Sequence, residues 1–331
     1  MSRRQAILEG ATAAARLHDQ LDVRHAVESS GGSIDVFGAL LVLKAALIFR
    51  PLDGLLGFCI RGADRPGVVI STQRPLRIQR FTGSHELGHV YLGHTQSLDG
   101  EEILGRGGPM TDEREIAANS FASAFLLPKW LLQLQARRQG WDRASVRNPH
   151  IVYQTALRVG ASYEATCVAL QTHNIIDDAT ANELMNASPR GIKAELLAGI
   201  AIENYYPDVW LLTERDEGLV LEGQPDDLFV LRLTEKAGAG YLWNTTDLIK
   251  SGFAILRDQR EIPPTPEIVG GPVMRALTAR RSDAAQGRFA LELLRPWQKE
   301  GTAIAALHVA YDLYGKEVGM PRSVRRQLAA A

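Results

Sequence analysis

Residues 80–94 read RFTGSHELGHVYLGH, and no other stretch of the chain says as much about its fold. His85 and His89 are four residues apart, so on an α-helix their imidazoles lie one turn apart on the same face. Two imidazoles at this spacing can bind one Zn²⁺, and Glu86 can reach a water molecule held at an open coordination position. The alternative is an ordinary amphipathic helix with two hydrogen-bonded histidines. We interpret the motif as a zinc site in which Glu86 is the catalytic base.

The composition is that of a globular protein with a substantial core. Of the 331 residues, 45% are hydrophobic and 23% are charged, and the length suggests two or three domains. The formal net charge of -1 argues against a general electrostatic attraction to nucleic acid or anionic membrane. Cys59 and Cys167 are far apart in the sequence, which indicates neither a disulfide framework nor a thiolate zinc site. Without an apolar run of about 18 residues or a secretory signal, we expect a cytoplasmic protein with no membrane partner.

Apolar periodicity predicts helices and short strands on both sides of the motif. The predicted helices cover residues 5–19, 34–49, 76–92 and 111–127, and the predicted strands cover residues 57–61 and 68–71. Thr111 is the expected N-cap of the last of these helices, which ends before Pro128.

A catalytic zinc site needs a third protein ligand and leaves its fourth position to water. His94 follows His89 by five residues, whereas the third histidine of metzincin sites follows by six. We therefore expect His94 to support the site from outside the ligand shell. Glu101 and Glu102 lie in a glycine-rich loop, where solvated charge is the simpler interpretation.

Glu115 is the favoured third ligand. It lies on a second predicted helix, whose small residues would allow close packing against the helix of the two histidines. Asn119 follows one turn later on the same face and can brace His85 or His89 through its side-chain amide. The alternative is that Glu115 is a first-turn acid that complements the helix dipole.

The second half of the chain changes from helical to β-rich patterns. Residues 129–195 are predicted to be helical, and Ala156-x-x-x-Gly160 is typical of a helix-turn-helix. Residues 131–195 hold seven Lys and Arg against six Asp and Glu, so DNA binding is not expected. Short apolar runs separated by turn signals then predict an all-β sandwich. These runs are residues 209–213, 218–222, 228–233, 273–279, 289–294 and 303–310.

Residues 80–94, together with EIAANSFA at 115–122 and LLP at 126–128, resemble the ImmA/IrrE family of zinc metallopeptidases over roughly residues 1–195. The resemblance implies a mainly helical, zincin-like fold of the gluzincin type, with one Zn²⁺ per chain bound by His85, His89 and Glu115. The family often has a second glutamate two residues before the asparagine, where this chain has Ala117. The resemblance also implies a protein substrate, a helix-turn-helix DNA-binding repressor that is cleaved in a stress or mobile-element response.

Residues 207–318 resemble the chagasin-like inhibitors of cysteine peptidases, which have an immunoglobulin-like fold. The resemblance is carried by three short motifs that fall where the family has its target-binding loops. The residues that these motifs assign to protein binding are Gly240, Tyr241, Trp243, Gly270, Gly271, Arg295, Pro296 and Trp297. The first loop reads KAGAG at 236–240, where the family has Asn-Pro-Thr-Thr-Gly, and this departure argues against inhibition. Trp243 and Trp297 are alternatively core aromatics of the sandwich.

Together these patterns predict an α+β chain. We expect a zinc metallopeptidase core at 1–130, a helical, helix-turn-helix-like extension at 131–195, a linker at 196–206 and a chagasin-like β-sandwich at 207–331. The leading function is a zinc endopeptidase that cleaves a specific regulatory protein. One alternative is a non-proteolytic regulatory or antitoxin-paired binding protein with structural zinc. Another is a peptidase inhibitor that acts through the C-terminal domain.

Overall fold

The computed structural model describes residues 2–62, 64–94, 100–104, 111–201, 204–261, 271, 273–298 and 302–330. The chain divides into two compact units. The first comprises Met1–Gln133, Ala156–Asp177 and Lys316–Ala331, and the second comprises Leu134–Thr155 and Asp178–Gly315. No helix in the described ranges is long and apolar enough to cross a membrane.

The chain is α+β, with most helices in the first two thirds and most strands in the last third. In chain order its first elements are α1 (Arg3–Gln20), α2 (Val23–Ser30), α3 (Val36–Val42), β1 (Ala46–Arg50), β2 (Gly57–Arg61), β3 (Pro66–Ser71), α4 (Leu76–Leu92), α5 (Glu113–Leu126), α6 (Lys129–Gln139), α7 (Pro149–Val159), α8 (Tyr163–Thr172), α9 (Asp178–Asn186) and α10 (Pro189–Leu197). They are followed by β4 (Val209–Leu212), β5 (Leu219–Glu222), β6 (Leu228–Glu235), β7 (Leu242–Asn244), α11 (Thr246–Lys250), β8 (Ala254–Glu261), β9 (Val273–Arg280), β10 (Gln286–Leu294), β11 (Ala305–Asp312) and α12 (Arg322–Ala330).

In the first unit, helices α3 and α4 pack on a three-stranded sheet. The strand order is β1-β3-β2, with β1 parallel and β2 antiparallel to β3. Helix α4 packs on β2 and β3, and α5 packs on both α1 and α4. Gly10 of α1 lies against the backbone of Ala117 so closely that a Cβ at this position would overlap the Ala117 carbonyl oxygen. Small residues therefore set how closely these helices approach.

The helix predicted over residues 34–49 is wrong in its second half. Helix α3 ends at Val42, and Lys44 adopts a positive φ of 61°, which interrupts the helix. The apolar residues that follow form β1, in which Leu47 and Phe49 are buried and alternate with exposed neighbours. Periodicity alone does not separate a short apolar helix from a buried strand, and here pairing with β3 decides for the strand.

The second unit contains the predicted sandwich. Its two four-stranded sheets have the orders β5-β11-β10-β7 and β4-β6-β9-β8. The strand pairs β4–β6 and β5–β11 are parallel and the other pairs are antiparallel. Phe253 contacts the rings of Phe229, Phe289 and Tyr311 edge-on at centroid distances of 5.1 to 5.4 Å. Strands β7 and β8 were not expected from the sequence.

Helical residues of the second unit are joined to the sandwich by buried polar contacts. The Tyr153 hydroxyl of α7 donates to the Asp208 carboxylate at 2.9 Å and accepts the Val209 N–H at 3.0 Å. The Lys193 ammonium of α10 lies 2.9 Å from the same carboxylate. Helix α8 lies in the first unit, whereas α9 and α10 lie in the second.

The C-terminal segment Lys316–Ala331 belongs to the first unit and is held there by the fully buried side chain of Gln79. The Gln79 amide oxygen accepts the N–H of Glu317 at 2.7 Å. Its amide nitrogen donates to the carbonyls of Glu317 and Ser71 at 3.0 and 3.1 Å. Gln79 precedes His85 by six residues on α4, so this segment is bound directly to the helix of the zinc motif.

The same segment also pairs with the sheet. The backbones of Phe49 and Gly319 exchange two hydrogen bonds of 2.7 and 2.9 Å, which covers part of the free edge of β1. The Lys316 ammonium donates to the Thr72 carbonyl at 2.7 Å. Both contacts join residues that are more than 200 positions apart in the sequence.

Replacing Gln79 by Leu is expected to lower the free energy of unfolding of the first unit by about 2–4 kcal/mol, because buried backbone groups of Glu317 and Ser71 lose their partners. Scanning calorimetry should show a lower melting temperature for that unit and an unchanged one for the second unit. Gln73→Leu is the control, since Gln73 is exposed and surface changes cost within about 0.5 kcal/mol. Equal melting of the Gln79 and Gln73 variants would contradict the structural role of the C-terminal segment.

Candidate metal centre

Helix α4 carries the HExxH residues in its last turns. His85, Glu86 and His89 are fully buried. The helix ends at Gly93, whose φ of 75° favours glycine. This turn lets the His94 N–H donate to the His89 carbonyl at 2.9 Å. It also places the centroids of the His89 and His94 rings 4.9 Å apart.

The two HExxH imidazoles and the Glu115 carboxylate converge on one point. Nε2 of His85 and Nε2 of His89 are 2.9 Å apart. Oε2 of Glu115 lies 3.1 Å from the first and 3.3 Å from the second. Donor atoms at about 2 Å from a tetrahedral metal lie roughly 3.3 Å from one another. The three residues therefore fit a shared metal ion, and they form the one such group among the described residues.

The outer nitrogens of both imidazoles are held by hydrogen bonds. Nδ1 of His85 lies 2.9 Å from Oδ1 of Asn119, whose amide nitrogen donates to the Ile103 carbonyl at 3.0 Å and so fixes the amide orientation. Because Oδ1 only accepts, His85 must carry a proton on Nδ1, which leaves Nε2 as the nitrogen that can bind a metal. Nδ1 of His89 lies 2.7 Å from Nδ1 of His94. Burial, followed by the nearby positive charges, lowers the pKa of His94 to about 4, so its neutral ring can accept a hydrogen bond from the His89 Nδ1–H.

Helix α5 brings the carboxylate to this point. The expectation that Thr111 caps the helix is wrong, because the Asp112 carboxylate accepts the Arg114 N–H at 2.8 Å and is the N-cap. Both residue types cap well, and Asp112 is the one that directly precedes the first helical residue.

The two helices approach closely at Gly88. A Cβ on Gly88 would lie 3.1 Å from the Phe121 Cβ and 3.2 Å from the Ala118 Cα, so the backbones of α4 and α5 are nearly in contact. This brings Glu115 within reach of the imidazoles. Burial alone would raise the pKa of Glu115, but hydrogen bonds from His85 and His89 outweigh it and hold that pKa well below its usual value. The carboxylate is thus ionised and suited to a divalent cation.

Glu101 and Glu102, the other acidic candidates, lie outside this group. Glu101 forms an ion pair with Arg74, and the Glu102 carboxylate accepts the Gly100 N–H at 2.8 Å. Both residues are in a single 3-10 turn, Glu101–Leu104. Its next residue, Ile103, is buried and contacts Asn119, so the turn supports the site through its backbone rather than through its acids.

In the second unit, the first and third predicted binding loops meet. Nε of Arg295 donates to the Ala239 carbonyl at 3.1 Å, and its guanidinium lies over the Tyr241 ring, 4.5 Å from the centroid. The Trp297 indole lies against Gly240, where a Cβ would overlap it. Trp297 is nevertheless 66% exposed. Its ring is therefore supported by the first loop and open to solvent.

The remaining predicted loop residues differ in accessibility. Trp243 is buried, and its indole N–H donates to the Thr234 carbonyl at 3.0 Å, which makes it a core residue of the sandwich. Pro296 is exposed and Gly271 is half-buried. Gly270 lies outside the described residues.

Comparison with known families agrees with both halves of this description. Residues 50–171 match the model of the IrrE N-terminal-like domain, a peptidase family. Residues 224–310 match the model of the chagasin family of peptidase inhibitors. The chain thus has one region similar to the IrrE N-terminal-like domain and another similar to the chagasin family. The first match indicates a metallopeptidase-like role, and the second agrees with the immunoglobulin-like sandwich.

Solved structures give further likenesses. A cysteine protease inhibitor from Entamoeba histolytica is 23% identical over 33% of this chain and 99% of its own, with a TM-score of 0.29. A transcriptional regulator from Mycobacterium tuberculosis is 13% identical over 82% of this chain and 81% of its own, with a TM-score of 0.29. No curated protein sequence matches the chain.

Two contributors to the centre were not expected from the sequence. The Ile103 carbonyl fixes the Asn119 amide, but a backbone acceptor cannot be recognised from the residue type. Gly88 permits the approach of the two helices, and its position between Leu87 and His89 on a buried helix was the available signal. Close contact at a helical glycine is a common reason for that residue.

Asn119→Ala is expected to weaken zinc binding about 10- to 100-fold, because the His85 Nδ1–H loses its acceptor. Competition with a chromophoric chelator measures the dissociation constant. Ser123→Ala is the matched control, since Ser123 is exposed on the same helix. If both variants bound zinc as the unaltered protein does, Asn119 would have no part in orienting His85.

Proposed function

We propose that this protein is a zinc endopeptidase that cleaves a specific regulatory protein. The observation that carries the proposal is the convergence of His85, His89 and Glu115, whose donor atoms are 2.9 to 3.3 Å apart. Glu86 is next to His85 on the helix of the two histidines. Three protein ligands leave the fourth position of a tetrahedral zinc to water, as in catalytic sites. The match to the IrrE N-terminal-like peptidase family supports the same activity.

The residues have distinct tasks in this proposal. Zinc bound by the three ligands would bring the pKa of a water molecule towards 7 and polarise the scissile carbonyl. The Glu86 carboxylate takes the proton of the attacking water and then gives it to the leaving amine as the peptide bond breaks. Asn119 and His94 keep His85 and His89 in the tautomer that presents Nε2.

The proposed substrate is a helix-turn-helix DNA-binding repressor, cleaved in the cytoplasm in a stress or mobile-element response. This part rests on the resemblance to the ImmA/IrrE family. A net charge of -1 gives this protein no general attraction to the phosphates of DNA. This is consistent with a substrate that itself binds the DNA. In this proposal DNA is bound by the substrate and not by the peptidase.

A non-proteolytic regulatory or antitoxin-paired protein with structural zinc is the alternative. Structural zinc sites have four protein ligands, usually with cysteine among them. Within the described ranges, the candidate group has three members and neither cysteine. This observation favours the enzyme over the alternative.

Glu86→Gln is expected to lower the rate of peptide cleavage by at least about 100-fold, because the amide cannot accept the water proton. Zinc content should stay at that of the unaltered protein, since Glu86 is not a ligand. A proteome-derived peptide library, read by mass spectrometry of new N-termini, detects cleavage without a known substrate. A fluorogenic peptide built on the preferred site then gives the rates.

Two results would contradict the endopeptidase proposal. One is equal cleavage by the zinc-loaded Glu86→Gln variant and the unaltered protein. The other is a zinc-loaded protein that cleaves no peptide of the library. The second result would favour the non-proteolytic alternative.

A second candidate function concerns the chagasin-like domain, which we propose binds a protein through the face formed by residues 239–241 and 295–297. The family match supports it, as does the exposed Trp297 indole, which is supported by Gly240 and flanked by the stacked Arg295 and Tyr241. Aromatic and arginine side chains in this arrangement are typical of residues that dominate binding energy.

If this face inhibits cysteine peptidases, papain should lose activity at micromolar concentrations of the protein. Trp297→Ala should then raise the inhibition constant about 30-fold, as expected for a dominant interface residue. Ile249→Ala is the control, because Ile249 is a similarly exposed apolar residue on α11 of the same unit. The absence of papain inhibition at micromolar concentrations would remove the inhibitor function.

A further inference from the structure

Strand β2 lies directly against the face of α4 that carries Glu86. Its first residue, Gly57, is buried and pairs with Ile70 of β3. An ideal Cβ built on Gly57 would lie 2.5 Å from Cγ2 of Thr82, 3.0 Å from Oε1 of Glu86 and 3.1 Å from the carbonyl oxygen of Val69. Real Cβ atoms essentially never come within 3.0 Å of other heavy atoms, so a side chain here would displace Thr82 and push the Glu86 carboxylate by a few tenths of an ångström.

Thr82 and Glu86 are the neighbours that would have to move. They are one helical turn apart and share a face of α4. Both are almost fully buried, with 1% and 0% exposure. Protein interiors are close-packed, so a displaced side chain in this position moves others rather than entering free space. The backbone of β2 thus forms one wall of the space that the Glu86 carboxylate occupies.

We propose that Gly57 is a positioning residue for the Glu86 carboxylate. Because it has no side chain, strand β2 can lie against Thr82 and Glu86 and keep the carboxylate where it can exchange a proton with the attacking water. This inference rests on the proposed function, since it takes Glu86 as the general base.

Other glycines of the first unit lack this relation to Glu86. A Cβ on Gly67, in the neighbouring strand, would meet only the Ile60 side chain, at 3.2 and 3.7 Å. A Cβ on Gly83 of α4 would meet the side chains of Phe37 and Ile70. Among the glycines of the described residues, Gly57 is the one with the Glu86 carboxylate among its nearest neighbours. Gly67 therefore provides a matched control in the same sheet.

The test compares Gly57→Ala with Gly67→Ala, using zinc-loaded full-length protein and the fluorogenic peptide. A displacement of about 1 Å at a catalytic group costs on the order of 100-fold in rate. The Glu86 carboxylate needs to shift by less than that, so we expect Gly57→Ala to lower kcat about 10-fold. KM and the zinc dissociation constant should stay within about threefold, because neither substrate contacts nor ligands are altered. Gly67→Ala should leave all three quantities within the same limits.

A double variant separates positioning from loss of stability. Gly57→Ala with Thr82→Ser removes the Thr82 methyl group, which is the closest contact, but leaves the new Cβ 3.0 Å from Oε1 of Glu86. We expect the melting temperature to recover while kcat stays low. Recovery of kcat in step with stability would overturn the proposal, because Gly57 would then serve packing alone.

The comparison also separates this inference from the endopeptidase proposal. If the unaltered protein cleaves the peptide, Glu86→Gln does not, and Gly57→Ala cleaves at the unaltered rate, then only the role of Gly57 is overturned. If the unaltered protein cleaves nothing, the endopeptidase proposal fails and the role of Gly57 fails with it. Low kcat in Gly57→Ala, with normal zinc affinity and an active Gly67→Ala variant, supports both.

Discussion

The close packing of α4 against α5 is the constraint on which the candidate centre depends. Two histidines on one helix supply two donor atoms, and the third must come from elsewhere in the chain. Gly88 lets the two helix backbones come nearly into contact beside Ala118. At that separation the side chain of Glu115 is long enough for its carboxylate to reach both imidazoles. A bulkier residue at position 88 would separate the helices and move the carboxylate away from the imidazole pair.

Burial of polar groups in α4 explains much of the surrounding structure. A buried imidazole, carboxylate or amide is costly unless each polar atom has a partner. Asn119 and His94 meet this need at the outer nitrogens of the two histidines, and Gln79 meets it for the C-terminal segment. The last contact has a consequence for the architecture. Residues after 315 belong to the peptidase-like unit, so removing the C-terminal domain together with these residues would also remove part of that unit.

Local patterns predicted most of the elements around the HExxH motif, because these elements depend on residues close in sequence. The helix at 76–92 and the hairpin of β2 and β3 follow directly from periodicity and punctuation. Other features depend on pairing between distant residues. Periodicity predicts helix for the residues of β1, because only their pairing with β3 decides for the strand. Three further features are the hydrogen bonds of Gln79 with Glu317, the Ile103 carbonyl and the fit of Gly57 against Glu86. They involve backbone atoms or the lack of a side chain, so residue type does not reveal them.

The shared metal site of His85, His89 and Glu115 is tested most directly by the zinc content of the purified full-length protein beside that of a Glu115→Ala variant, measured by mass spectrometry of the metal after dialysis. We expect one zinc ion per chain in the unaltered protein and the loss of most of it in the variant, with both proteins folded by circular dichroism. An unaltered protein without zinc after incubation with the metal, or a Glu115→Ala variant that retains a full equivalent, would contradict this expectation.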